Sequence, residues 1–176
     1  MNDPTRILGI DPGSRITGYG IIDTDGTATR YVASGCLNLG DGDFSGRLRE
    51  IYSRISGLVD EYTPDHIAIE QIFVHKNADS ALKLGHARAA AICATFASRS
   101  TLNGPALHEY AAREVKQAIV GKGSAAKDQV QHMVRILLNL GGEHAEMGTD
   151  ASDALGIALC HAHTRNLVER YAEVMP

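Results

Sequence analysis

An apolar run, a single carboxylate and a proline–glycine break follow one another in residues 7–23, ILGIDPGSRITGYGIID. The run Ile7 to Ile10 reads as a strand, and Asp11 stands where it ends. Pro12 stops the strand because it has no backbone N–H to give to a ladder, and Gly13 supplies the tight turn. A second apolar run, Tyr19 to Ile22, returns after Ser14 and Arg15, so the segment predicts a hairpin. An acid at the end of an apolar strand is costly unless it is paired or holds a metal. Asp11 therefore has two readings here, a turn cap or one member of a ligand set. Acids at comparable places later in the chain decide between them.

The 176 residues suit a single domain over 1–176, with a short tail after about residue 171. At 44% hydrophobic the chain can build a substantial core. No apolar span approaches the roughly 18 residues of a membrane helix, and the start MNDPTR lacks the apolar centre of a signal peptide. Cys36, Cys93 and Cys160 are far apart and form no CxxC pair, which argues against a disulfide framework or zinc knuckle. A reduced, cytoplasmic setting is the expectation. The net charge of −4 is unevenly spread. Residues 71–140 hold nine Lys/Arg against four Asp/Glu, and the remainder holds eight against seventeen. A basic middle on an acidic body suits either a phosphate-facing surface or a solvated helix face.

Beyond the hairpin, Thr29 to Asn38 predicts a third strand. Asp41 to Ser45 carries helix-start chemistry, and Leu48, Ile51, Ile55, Leu58 and Val59 recur at helical spacing over Phe44 to Tyr62. His66 to Ile72 predicts a strand that is apolar on both faces, as in a sheet covered by helices, with Glu70 as its exception. Ala78 to Ser98 predicts a helix with eight alanines, packed on the sheet or also against a second copy of itself. Pro105 to Glu109 predicts a fifth strand, and Ala112 to Ile119 a short helix. Ser124 is expected to cap a helix from Ala125 to Leu140. A polar loop, Gly141 to Gly148, precedes a last helix from Asp150 to Tyr171. This order predicts an α/β fold, a mixed five-stranded sheet with helices on both faces.

Asp150 and Asp153 are three apart and share a face at the first turn of the last helix. They suit the positive end of its dipole, and capping is their bland reading. With Asp11 and Glu70 they also make four carboxylates with no His/Cys partner, a set for a hard cation, Mg²⁺ or Mn²⁺. Two such ions can stabilise both oxygens of an in-line phosphodiester displacement with water as nucleophile.

Four blocks carry a family resemblance: GIDPGSRITGYGIID, IAIEQIFVHKNADSALKLGHARA, EYAAREVKQAIVGKGSAAKDQVQHMV and DASDALGIALCHAH. Together they resemble the RuvC family of bacterial Holliday-junction resolvases from about Ile7 to His163. The resemblance implies a ribonuclease H-like fold and a homodimer. It further implies Mg²⁺-dependent paired nicking of four-way junction DNA in recombination and repair, with two ions per site and Mn²⁺ as a substitute. Cooperation with the branch-migration proteins RuvA and RuvB is implied too. Asp11, Glu70, Asp150 and Asp153 match the family's catalytic, metal-holding acids. Phe73 matches an aromatic that stacks on a junction base, and Lys116 and Lys127 match residues that contact the DNA backbone. The loop Gly141 to Thr149 departs from the family pattern, being slightly long and without prolines.

Phe73 beside Glu70 is one of only nine aromatics, so base stacking competes with a place in the core. Lys122 joins Lys116 and Lys127 as a candidate phosphate contact, and Lys76 and Lys83 could extend the surface. A metal site at Cys160, His161 and His163 is disfavoured, because i and i+2 point apart on a helix. Gly121 to Ser124 lacks the spacing of a P-loop. Three rivals remain: an actin-like or Hsp70-like ATPase, which needs a longer chain; a non-catalytic junction-binding module; and a ribonuclease H-like nuclease for RNA–DNA hybrids.

Overall fold

The computed structural model describes residues 3–72, 77–97, 104–142 and 147–174. Its strands are β1 (Thr5–Asp11), β2 (Ile16–Thr24), β3 (Thr29–Asn38), β4 (His66–Glu70) and β5 (Ala106–Tyr110). Its helices are α1 (Phe44–Tyr62), α2 (Ala78–Thr95), α3 (Ala112–Val120), α4 (Lys127–Leu137) and α5 (Thr149–Val174). The strands form one sheet in the order β3-β2-β1-β4-β5. β1 to β3 are an antiparallel meander, and β4 and β5 add in parallel beside β1. The expected mixed sheet is present, with helices on both faces.

Strand alternation sends each sheet residue to one of two cores. Leu8, Ile10, Ile21, Ile67 and Ile69 meet Ile51, Ile55 and Val59 of α1 and the alanines Ala87, Ala91 and Ala94 of α2. Ile7, Ile22, Ala68 and Tyr110 meet Leu155, Ala158 and Leu159 of α5, with Val115, Val130 and Val134 of α3 and α4 outside it. α5 is the central layer of that face, because it touches every strand as well as α3 and α4.

Several boundaries differ from the sequence reading. β4 ends at Glu70, not Ile72, so the acid is the strand's last residue. β5 runs one residue later than expected, Ala106–Tyr110. α2 ends at Thr95, and Ser98 lies outside the described residues. α3 extends to Val120, and α5 runs from Thr149 to Val174. Ser124 does not cap α4: that helix starts at Lys127, and the Gln129 side chain accepts a hydrogen bond from Ala126 N at 3.0 Å. Lys122 O holds Ala125 N at 3.0 Å, which keeps Ser124 and Ala125 in the preceding turn. The α1 start behaves as expected, with Asp43 Oδ1 accepting from Gly46 N at 3.0 Å.

Candidate active site

The site forms where β1 and β4 end together. Ile10 pairs with Ile69 in the parallel ladder, which brings Asp11 beside Glu70 one residue further on. Both side chains face α5, since they alternate with Ile10 and Ile69 of the opposite core. The Asp11 and Glu70 carboxyls lie close enough for each to bear on the other's ionisation. The turn after Asp11 is fixed by the buried Thr17 hydroxyl, which donates to Gly13 O at 3.0 Å and accepts from Gly13 N at 3.3 Å. Behind Glu70, Arg88 Nε of α2 donates to the Glu70 carbonyl oxygen at 3.0 Å, and the Arg88 guanidinium pairs with Glu109 at 2.6 Å. Arg88 therefore braces the end of β4 from the opposite face of the sheet.

Two glycines let α5 deliver its acids. A Cβ on Gly9 would lie 2.1 Å from Ala154 O, and one on Gly18 would lie 2.0 Å from Asp150 O. Gly18 pairs with Asp11 across the hairpin. The first turns of α5 thus lie directly on the β1–β2 ladder, at a distance no side chain allows. Asp153 points into the cleft that results, while Asp150 lies beside it, within electrostatic reach of Asp11.

The cleft is about 330 Å³ and is lined by Asp11, Glu70, Lys116, Lys127 and Asp153, with Ala112, Val115, Val130 and Ile157 as its apolar wall. Burial is the main force pushing Asp11 up to about 7, and Glu70, Asp153 and Asp150 add to it against Lys127. Glu70 is also raised, first by burial and then by Asp153, with Lys127 and Lys116 opposing. Lys127 Nζ pairs with Asp153 at 2.6 Å. Burial pulls that ammonium down, but Asp153, Asp11 and Asp150 outweigh it and the net shift is upward. Three carboxyls line the cleft and Asp150 lies beside it, against two lysines, and among the described residues the metal-ligating atoms there are all oxygens. That donor set fits hard divalent cations.

Among the other anticipated positions, Lys116 lines the cleft, and exposed Lys122 sits on the α3–α4 connection outside its lining. Lys83 is on the first turns of α2, held by Asp79 at 2.6 Å, away from the cleft. Phe73 and Lys76 lie outside the described residues. Sequence reasoning missed Arg88, Gly9 and Gly18. The glycine repeat in GYG was a usable signal, whereas nothing in the sequence of α2 marked Arg88.

A sheet of this order, with acids on the ends of two neighbouring strands and on the helix that crosses them, defines a ribonuclease H-like α/β protein with a carboxylate site. Residues 7–161 match the family model described as "Crossover junction endodeoxyribonuclease RuvC". The chain belongs to that family, whose members are DNA-cleaving hydrolases that use divalent metal. It is 55% identical over 171 residues to the Methylococcus capsulatus crossover junction endodeoxyribonuclease RuvC, covering 97% of this chain and 98% of that one. It is 58% identical over 158 residues to the Dichelobacter nodosus relative of the same name, covering 90% and 85%. Among solved structures, T. thermophilus RuvC in complex with Holliday junction substrate superposes with a TM-score of 0.83 at 30% identity, covering 93% of this chain and 96% of that one.

Proposed function

We propose that this chain resolves four-way DNA junctions by paired nicks, with Asp11, Glu70, Asp150 and Asp153 holding Mg²⁺ at the reacting phosphate. The observation that carries the reading is the convergence of Asp11, Glu70 and Asp153 on one cleft lined also by Lys116 and Lys127, with Asp150 beside it. Bound there, divalent cations supply electrophilic stabilisation of the phosphodiester oxygens and acidify the attacking water.

The chain's own residues do the rest. Asp11 sits on a strand end fixed by two ladders, so its carboxylate needs no reorganisation. Its high pKa means that the loaded site must take up a carboxylate that has lost its proton to solvent. Val115, Val130 and Ile157 keep water from one wall and so strengthen every charge interaction inside the cleft. Lys116 holds the DNA backbone by its phosphate charge and reads no sequence. Lys127 exchanges Asp153 for a phosphate when cations occupy the acids, which couples loading of the site to grip on the DNA.

Resolution takes two nicks in opposed strands, and a two-fold dimer supplies two equal sites. The exposed face of α2 supports that assembly. Leu82, Gly85, Ala89, Cys93 and Phe96 recur at helical spacing on its outer side, with Leu82 63% and Phe96 58% exposed. Phe73 as a base-stacking residue and Lys76 as a phosphate contact extend the reading beyond the cleft, as does hand-over from RuvA and RuvB in the cytoplasm. No helix among the described residues is long and apolar enough to cross a membrane.

Junction binding and cleavage by Asp11→Asn test the assignment. Retained binding with cleavage lost in Mg²⁺ supports it. Cleavage at the wild-type rate removes Asp11 from the site.

A further inference from the structure

A second group of metal-ligating side chains lies at the other end of the same sheet face. His66 opens β4, His108 is in the middle of β5, and His161 comes from α5. Ala68 pairs with His108, so His66 and His108 project from the same side of neighbouring strands, toward α5. The ring centroids are 5.2 Å apart for His66 and His108, 5.0 Å for His66 and His161, and 4.2 Å for His108 and His161. One ring nitrogen from each lies within 4.8 Å of the other two. We propose that His66, His108 and His161 bind one divalent ion of the Zn²⁺ class, which clamps α5 to β4 and β5.

The His161 environment carries the argument. This residue is 2% exposed, and its Nε2 is buried with no hydrogen-bond partner among the described residues. A buried polar atom left in this way is costly, and a bound ion removes the cost. Its other nitrogen, Nδ1, is 2.7 Å from the Tyr110 hydroxyl. Donation from Nδ1–H to the Tyr110 oxygen leaves a lone pair on Nε2, and a partner on the second nitrogen is how ligating histidines are normally oriented. His66 Nδ1 and His108 Nε2 are 3.1 Å apart. Metal–nitrogen bonds of about 2.0–2.1 Å in a tetrahedron place donor atoms roughly 3.3 Å from each other, so that pair already has the spacing. The proton between them moves to a second ring nitrogen on loading, and no net protonation change is needed.

The donor set names the ion. Three neutral imidazoles, joined by no carboxylate or thiolate among the described residues, select Zn²⁺, Co²⁺ or Ni²⁺ over Mg²⁺. His66 and His108 are only half-buried, which leaves solvent access for a fourth ligand. The site is separate from the carboxylate cleft: His161 is eleven residues along α5 from Asp150, about 16 Å of helix at 1.5 Å per residue. It does not depend on the nuclease reading.

The test uses the untagged full chain, stripped with chelator and then titrated with Co²⁺ and Zn²⁺ in excess Mg²⁺. The expected result is one ion per chain, a tetrahedral Co²⁺ absorption spectrum that Zn²⁺ abolishes, and a raised Tm. His66→Gln and His108→Gln each weaken Zn²⁺ binding at least tenfold, and either one that folds suffices. Tyr110→Phe weakens it by about tenfold or more through loss of the orienting contact, whereas Asp11→Asn leaves it unchanged. No Zn²⁺ bound in excess Mg²⁺, or the same affinity in a folded His66→Gln or His108→Gln protein, overturns the proposal.

Discussion

Asp11→Asn should make the cation-free protein more stable, and more so as pH rises. Burial and three neighbouring acids hold the Asp11 carboxyl at about 7, against 3.8 for an ordinary aspartate. Below about pH 4 the group is protonated in both folded and unfolded chains and contributes nothing. As pH climbs from there toward 7 the unfolded chain ionises first, so folding is progressively penalised. Above 7 the penalty is constant. At ~1.36 kcal/mol per pH unit its ceiling is about 4 kcal/mol. Asp11 keeps some solvent contact, so roughly 1–3 kcal/mol is the expected size. Urea unfolding of both proteins in EDTA, at a series of pH values from about 4.5 to 8, measures it. His161 is held neutral by burial, with its pKa down at about 3, and gives the opposite slope. Its stability is present above the ordinary histidine pKa and is lost as pH falls below it. That contribution cancels in the difference between the two proteins. A difference that does not vary with pH, or a variant less stable than wild type at pH 8, refutes the electrostatic account. Mg²⁺ should reverse the order, because only the wild type gains stability by binding it.

Gly18→Ala drives a Cβ into the α5 backbone at Asp150, so stability falls by about 1–3 kcal/mol or more and junction cleavage falls with it, as unfolding curves and rate measurements will show. Lys127→Ala weakens junction binding, reduces the slope of log affinity against log salt by about 1, and frees Asp153 so that cation affinity rises. At subsaturating Mg²⁺ the cleavage rate climbs as pH passes through about 7, where Asp11 gives up its proton, and the dependence flattens at saturating Mg²⁺. Leu82→Lys with Phe96→Lys on the outer face of α2 shifts sedimentation from dimer to monomer and abolishes coordinated double nicking, if that face is the dimer contact.

Short-range patterns in the chain foretold the sheet well. Asp11 followed by Pro12 and Gly13 announced the end of β1, and the 3.6-residue spacing of Ile51, Ile55 and Val59 announced α1. Glu70 stood out because its strand is otherwise apolar. What stayed hidden depends on contacts between distant segments. Ser124 has the chemistry of a cap, yet Gln129 reaches back to Ala126 and starts α4 two residues later than that cap implied. Arg88 looks like a surface residue of α2 until the end of β4 comes to it. His161 and His163 do point apart as the helix requires: His163 Nδ1 lies 3.3 Å from Ala118 O, while His161 turns under the sheet. Its meeting with His66 and His108 joins residues 95 and 53 positions apart in the chain, beyond the reach of any local pattern. The glycines were visible as residues, but their purpose appears only once α5 lies on them.

Cleavage of a synthetic four-way junction, end-labelled on each strand in turn, tests the central claim most directly. It is run with Mg²⁺ and with EDTA, beside linear duplex and RNA–DNA hybrid of the same sequence. Symmetric nicks in two opposed strands, confined to the junction and to Mg²⁺, are the predicted result. Tight junction binding without cleavage in Mg²⁺ or Mn²⁺ contradicts the account and makes the four acids structural, and preferential cutting of the hybrid contradicts it in favour of a different nuclease.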